Sequence, residues 1–132
     1  MDARLVVCRL KVVPAVVLAF SLTGIAQATP SNKWRLQCSG GADSDGVIVF
    51  QIAPKGLTAL VVEVTVKKGT SENGVARQIR DVFKAKLPKD GYKVEVDDGE
   101  DVLVKKRGKT PNFDVIIQSN SVKGVRINPD KE

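Results

Sequence analysis

The chain contains no histidine, and that one absence removes Ser-His-Asp triads, Cys-His pairs and every zinc site with an imidazole ligand. Cysteine is nearly as scarce. Of Cys8 and Cys38, the first lies in an N-terminal leader, so the rest of the chain has no internal disulfide and no CxxC centre. A phosphate-cradling glycine loop is also missing, because Cys38-Ser39-Gly40-Gly41 lacks the Walker spacing and reads as a turn. Aromatic residues are few, and none lies in the basic run Lys105 to Lys109. Trp34 and Phe50 fall on strands of core type and Tyr92 on an apolar hairpin face, which argues against stacked bases. The chain has no internal repeat and no low-complexity segment.

What is present begins with Arg4, Arg9 and Lys11, an apolar run from Val12 to Ile25, and the small-x-small triplet Ala26-Gln27-Ala28. Together these predict a secretory signal peptide over residues 1–28. The apolar run is short and soon followed by polar sequence, so it is not read as a membrane span. Export to the periplasm or the exterior is expected, with no transmembrane domain once the leader is cleaved; retention by an uncleaved leader is the alternative. Neither cysteine stands in a Leu-x-(Gly/Ala)-Cys context, so no lipid anchor is indicated. Residues 29–132 suffice for one domain with a single core. The formal net charge of the whole chain is +6, and loss of Arg4, Arg9 and Lys11 with Asp2 leaves the remainder mildly basic.

The best-defined element is a helix between Thr70 and Leu87. Val75, Ala76, Ile79, Val82, Phe83 and Leu87 share one side of a 3.6-residue period, with Arg77, Arg80, Asp81 and Lys84 opposite. Thr70 or Ser71 can cap it, Glu72 suits the positive end of its dipole, and Pro88 followed by Asp90-Gly91 ends it. Before it, the alternating run Lys33 to Cys38 predicts a strand with Trp34, Leu36 and Cys38 inward. Gly46 to Ala53 reads as a central strand, and Leu57 to Lys67 as a strand with Leu60, Val62, Val64 and Val66 on one face.

After the helix, Tyr92 to Val96 and Asp101 to Lys105 flank an acidic turn. A three-residue loop of Asp97-Asp98-Gly99 pairs Val94 with Val102 and Tyr92 with Val104, and so collects the apolar residues on one face. Phe113, Val115 and Ile117 form a further inward set, and Val125 with Ile127 marks the last strand. Both ends of the domain, Thr29 to Asn32 and Pro129 to Glu132, are expected to fray. The fold class is therefore α+β: a mostly antiparallel sheet of about six to seven strands with one amphipathic helix packed on one face.

Candidate sites are sparse. Lys105, Lys106, Arg107 and Lys109 crowd one loop and could engage neighbouring anions, or they form a solvated loop. Asp97, Asp98, Glu100 and Asp101 supply the paired carboxylates that glycoside hydrolysis requires, but a two-stranded tip is solvated and does not raise an acid's pKa. These acids, and Asp43 with Asp45, are also oxygen-rich enough for calcium, although Asp43-Ser44-Asp45-Gly46 lacks the third ligand position and the later Glu of a calcium loop. No catalytic, metal or cofactor residue is assigned. Cys38 reads as a buried apolar thiol, with an intermolecular disulfide or a reactive thiol as the other readings.

The run Val62 to Phe83, passing through Lys67-Lys68-Gly69-Thr70, and the Val-Glu-Val and Val-Leu-Val strands after it resemble small uncharacterised exported proteins of proteobacteria. The same stretch is similar to strand-helix-hairpin units of phage tail and flagellar assembly proteins. The resemblance implies an interaction module and transfers no functional residue. A non-enzymatic binding or assembly module is thus expected, its partner an unknown protein or a polyanion. The alternatives are an inhibitor or protective partner of a secreted enzyme, and a His-free hydrolase using carboxylates.

Overall fold

The computed structural model describes residues 30–132; the signal peptide expected over residues 1–28, with its cleavage site, lies outside the described residues. The chain runs β1 (Lys33–Ser39), β2 (Gly46–Pro54), β3 (Leu60–Val66), α1 (Glu72–Lys86), β4 (Tyr92–Asp97), β5 (Asp101–Lys106), β6 (Phe113–Asn120) and β7 (Arg126–Lys131). The protein is α+β, and all its strand pairings are antiparallel.

The strands form two sheets where the sequence suggested one: β4-β5-β1-β7 and β3-β2-β6. Helix α1 packs against β3 in the second sheet and against β4, β1 and β5 in the first, so it touches both. The β3–α1–β4 segment crosses from one sheet to the other. Apolar periodicity marks which residues turn inward but not which inward faces meet, and here all of them meet in one core. Leu36, Ile48, Phe50, Val62, Val64, Ile79, Phe83, Val102 and Val104 are buried in it together. Burying each of the large ones contributes about 1.5–3 kcal/mol. Phe83 of the helix meets Phe50 of β2 edge to face, ring centroids 5.0 Å apart.

The local signals hold. Ser71 caps α1 by accepting the Gly74 N–H at 3.1 Å, while Thr70 turns back to the Lys67 carbonyl. Leu87, extended at the C-cap, donates to the Phe83 carbonyl at 2.9 Å. Trp34, Leu36 and Cys38 are buried, and the Trp34 indole N–H donates to the Phe113 carbonyl at 2.7 Å.

Two expectations are corrected. The β4–β5 hairpin pairs Val94 with Val104 and Val96 with Val102, around a loop of Asp98-Gly99-Glu100. That register lies two residues from the expected one, which keeps every side chain on its face, so face parity could not tell the two apart. Asp98 at φ 53° and Gly99 at φ 82° supply the consecutive left-handed residues that a tight Asp-Gly turn needs. The C-terminus does not fray. It forms β7 along β1, with the Glu132 N–H donating to the Lys33 carbonyl at 3.0 Å. Pro129 is tolerated because β7 is an edge strand.

Candidate anion-binding surface

The four cations of the 105–109 run are dispersed by the fold. Lys105 and Lys106 still belong to β5 and therefore point to opposite faces, Lys105 exposed and Lys106 half-buried. Arg107 is pinned to the turn after α1: its backbone N–H donates to the Gly91 carbonyl at 2.8 Å and its guanidinium to the Lys89 carbonyl at 3.3 Å. Lys109 lies on the other side of that turn, at the edge of a separate cleft.

Lys105 instead joins two residues that are distant from it in sequence. It stands directly across from Lys93 in β4 and from Lys33 in β1. In-register partners of an antiparallel sheet share a face, so Lys93, Lys105 and Lys33 form a row on the outer side of the four-stranded sheet. The rungs are spaced by the inter-strand distance of about 4.8 Å. Lys33 lies 3.8 Å from Glu132 at one end, and Lys93 lies 3.8 Å from Glu95 at the other. Among the described residues, the central Lys105 has no carboxylate within ion-pair distance. Like charges directly opposite each other are unfavourable in a sheet, which makes this row an arrangement that an anion would relieve.

Beyond Lys93 the positive surface turns the edge of β4 into a cleft of about 740 Å³ between the end of α1, the following turn and β4. Its apolar walls include Phe83, Leu87, Tyr92 and Val94; Lys84, Lys89, Lys93 and Arg107 contribute cations, and Asp81 and Glu95 are its acids. Asp81 is already bonded to Arg80 at 2.9 Å.

The acids at the other end of the same sheet face are held by Arg35 of β1. Its guanidinium reaches Asp101 at 2.7 Å, Glu132 at 3.1 Å and Asp97 at 3.2 Å. Asp97 and Asp101 are thus partners of one arginine and not members of a freely solvated tip. The outer face is graded, cationic at the Lys93-Lys105-Lys33 rung and acidic at the Asp97-Asp101 rung, with Arg35 between. The Asp43–Asp45 turn is a tie between loops. Asp45 accepts the Lys68 N–H at 2.7 Å, Asp43 donates its N–H to the Lys123 carbonyl at 2.8 Å, and the Ser44 hydroxyl accepts from the Lys123 N–H at 3.0 Å. Among the described residues, no group of three or more His, Cys, Asp or Glu is placed to hold a metal ion.

Cys38 is 2% exposed, which matches the buried-thiol reading and leaves it no surface for a partner chain. Burial, with the carboxylates of Asp101, Glu72 and Glu100 behind it, pushes the thiol up to about 12. Such a thiol is the opposite of an activated nucleophile.

Sequence reasoning missed Lys33 and Lys93. Both lie on outward strand positions, but nothing local says that they align with Lys105. The expected hairpin register set Lys93 against Leu103, and the β1–β5 pairing is non-local. Among the described residues, no helix is long and apolar enough to cross a membrane. No protein-family model matches the chain, and no curated protein matches it.

Proposed function

We propose that this protein is an exported, non-enzymatic binding module that holds a linear polyanion across its strands on the row Lys33, Lys105 and Lys93. The observation that carries the reading is the alignment of three lysines on adjacent strands, the middle one unpaired among the described residues. A polyanion lying along this rung meets three cations at one strand spacing each. Turned along the strands, it would run into Asp97 and Asp101. Few aromatics lie on this face, so the attraction is for charge and not for bases. A linear acidic glycan fits that chemistry.

The test is retention on heparin at low salt. Replacing Lys33, Lys93 and Lys105 with Gln should lower affinity at least tenfold. Replacing Lys67, Lys68 and Lys123, which removes the same charge from the other end of the molecule, should leave most of it. Changing Lys106, Arg107 and Lys109 to Gln separates the row from the contiguous run and should have the smaller effect. On duplex DNA used as a rigid polyanion standard, three contacts give a log–log salt slope of about −3. Equal losses from all three sets would refute the row. Export has its own measurement: mass spectrometry of protein recovered outside the cytoplasm should show Thr29 at the N-terminus, and an intact Met1 form there would defeat it.

A further inference from the structure

The two open sheets leave β4, β7, β3 and β6 as edge strands, and an unpaired edge invites another strand unless it is blunted. Three of these edges are blunted. On β7 the Glu132 N–H bonds back to β1, so alternation turns Pro129 to the free edge, where it has no N–H to offer. On β6, Ser31 already exchanges both hydrogen bonds with Phe113 at 2.9 Å, and a bulge opposite Val49 and Phe50 interrupts the ladder further along. On β4 the edge groups belong to Tyr92, Val94 and Val96, none of them exposed, and the Tyr92 N–H is taken by the Pro88 carbonyl.

The β3 edge has neither proline nor bulge. Lys55 donates its N–H to the Asn112 carbonyl across the β2–β6 ladder, so the odd-numbered backbone groups of β2 serve β6 and the even-numbered ones serve β3. The free groups of β3 are therefore those of Val61, Glu63 and Thr65, and all three residues are exposed. Alternation continues just past the strand, where Lys68 turns its N–H back to Asp45 at 2.7 Å and Lys67 faces outward. Among the described residues, these edge N–H groups have no partner, and neither Glu63 nor Lys67 forms an ion pair. Helix α1 meets β3 on the face of the buried Val62, Val64 and Val66, which leaves the other face open.

We propose that β3 pairs antiparallel with β3 of a second copy of this chain, about a two-fold axis at Thr65, joining two three-stranded sheets into one of six. The side chains of Glu63, Thr65 and Lys67 select that register, because opposed residues of an antiparallel pair share a face. With the axis at Thr65, each Glu63 stands opposite Lys67 of the other copy, and the two threonines oppose each other. An axis at Glu63 would set two carboxylates together, and one at Val64 would leave Glu63 opposite Thr65 with both charges unpaired. The contact is self-complementary, as a two-fold interface must be. Backbone bonds form between the two Thr65 residues and from each Lys67 N–H to the opposite Glu63 carbonyl. The Lys67 carbonyl already accepts from the Thr70 N–H at 3.1 Å and the Thr70 hydroxyl at 2.7 Å, which ends the ladder there.

A short edge-to-edge contact belongs below the ~1,200 Å² of standard interfaces, and a Kd on the order of 10–100 µM is expected. Sedimentation velocity of the purified protein across that range should show a reversible monomer–dimer equilibrium. Glu63→Lys and Lys67→Glu should each weaken it at least tenfold, and thermal melts should show both variants folded as the parent is. The double variant, with both charges reversed, should dimerise like the parent. An equimolar mixture of the two single variants should recover mixed dimers, because each supplies the charge that the other lacks. Thr65→Pro, which removes the central N–H from an edge position, should abolish dimers. A protein that stays monomeric throughout the range would overturn the proposal, and so would single reversals without effect or a mixture that remains monomeric. The Lys33, Lys93 and Lys105 triple variant should dimerise as the parent does; dimers lost there would place the interface on the lysine row and overturn the β3 pairing, so this proposal and the polyanion reading fail separately.

Discussion

Reversing the charge of Lys105 should make the protein more stable and its polyanion binding weaker. Lys105 sits between Lys93 and Lys33, so Lys105→Glu converts two like-charge contacts into two attractive ones. Cross-strand pairs of this kind contribute roughly 0.2–1 kcal/mol each. These side chains are solvated, so the lower half of that range applies, and the gain over both contacts is about 0.5–1 kcal/mol. For a domain of this size that raises Tm by about 2–6 °C. Lys105→Gln removes the repulsion without adding attraction and should give about half as much. The gain should be visible in thermal melts at low salt and fade near 1 M, where the Debye length of about 3 Å is shorter than the strand spacing. Heparin retention should fall in the same variants. Opposite signs for stability and binding are what a site kept for function at some cost to the fold produces. Loss of stability in Lys105→Glu at low salt, or a change insensitive to salt, would refute the reasoning.

Ile79→Asp and Val94→Asp should each cost more than about 4 kcal/mol or abolish folding, because both place an unpaired charge among buried apolar residues. Lys84→Asp, on the exposed face of α1, should cost less than about 1 kcal/mol through the helix dipole alone; denaturant melts rank the three. Cys38 should resist a thiol reagent in the native protein at pH 8 and react on denaturation. The folded thiol keeps its proton up to about 12 while the unfolded thiol loses it near 9, so stability should fall as pH rises from 9 towards 12. Tyr92, also raised by burial, adds to that loss, and Cys38→Val should flatten the profile between pH 9 and 10. Gly124→Ala should be clearly destabilising: φ is +88°, and an added Cβ would lie 2.5 Å from both the Asp43 carboxylate and the Gly41 carbonyl, a clash that melting should report.

The sequence by itself determined what depends on neighbours in the chain. The capped helix from Glu72, its buried face of Val75, Ala76, Ile79 and Phe83, and its stop at Leu87 follow from a 3.6-residue period and the chemistry of Ser71 and Pro88. The inward sets of the strands, from Trp34, Leu36 and Cys38 to Phe113 and Val115, follow from alternation, since successive strand residues must point to opposite faces. The scarcity of cysteine, the missing imidazoles and the basic residues near the N-terminus are facts of composition. Only the tertiary structure decided how those pieces meet. The division into two sheets, the pairing of β1 with β5 and β7, the two-residue difference in the β4–β5 register and the ordering of Pro129 to Glu132 as an edge strand all depend on contacts between residues far apart in sequence. Parity is silent on such choices, because a shift of two residues preserves every face. The candidate site lives in that undetermined part. Lys33 and Lys105 are 72 positions apart in the chain and one strand spacing apart in the sheet, and Arg35 meets Asp97 and Asp101 only because β1 enters between β5 and β7. The charge run at Lys105 to Lys109 was legible from sequence. Its dispersal was not, because strand alternation and the turn at Gly91 send its members to different faces.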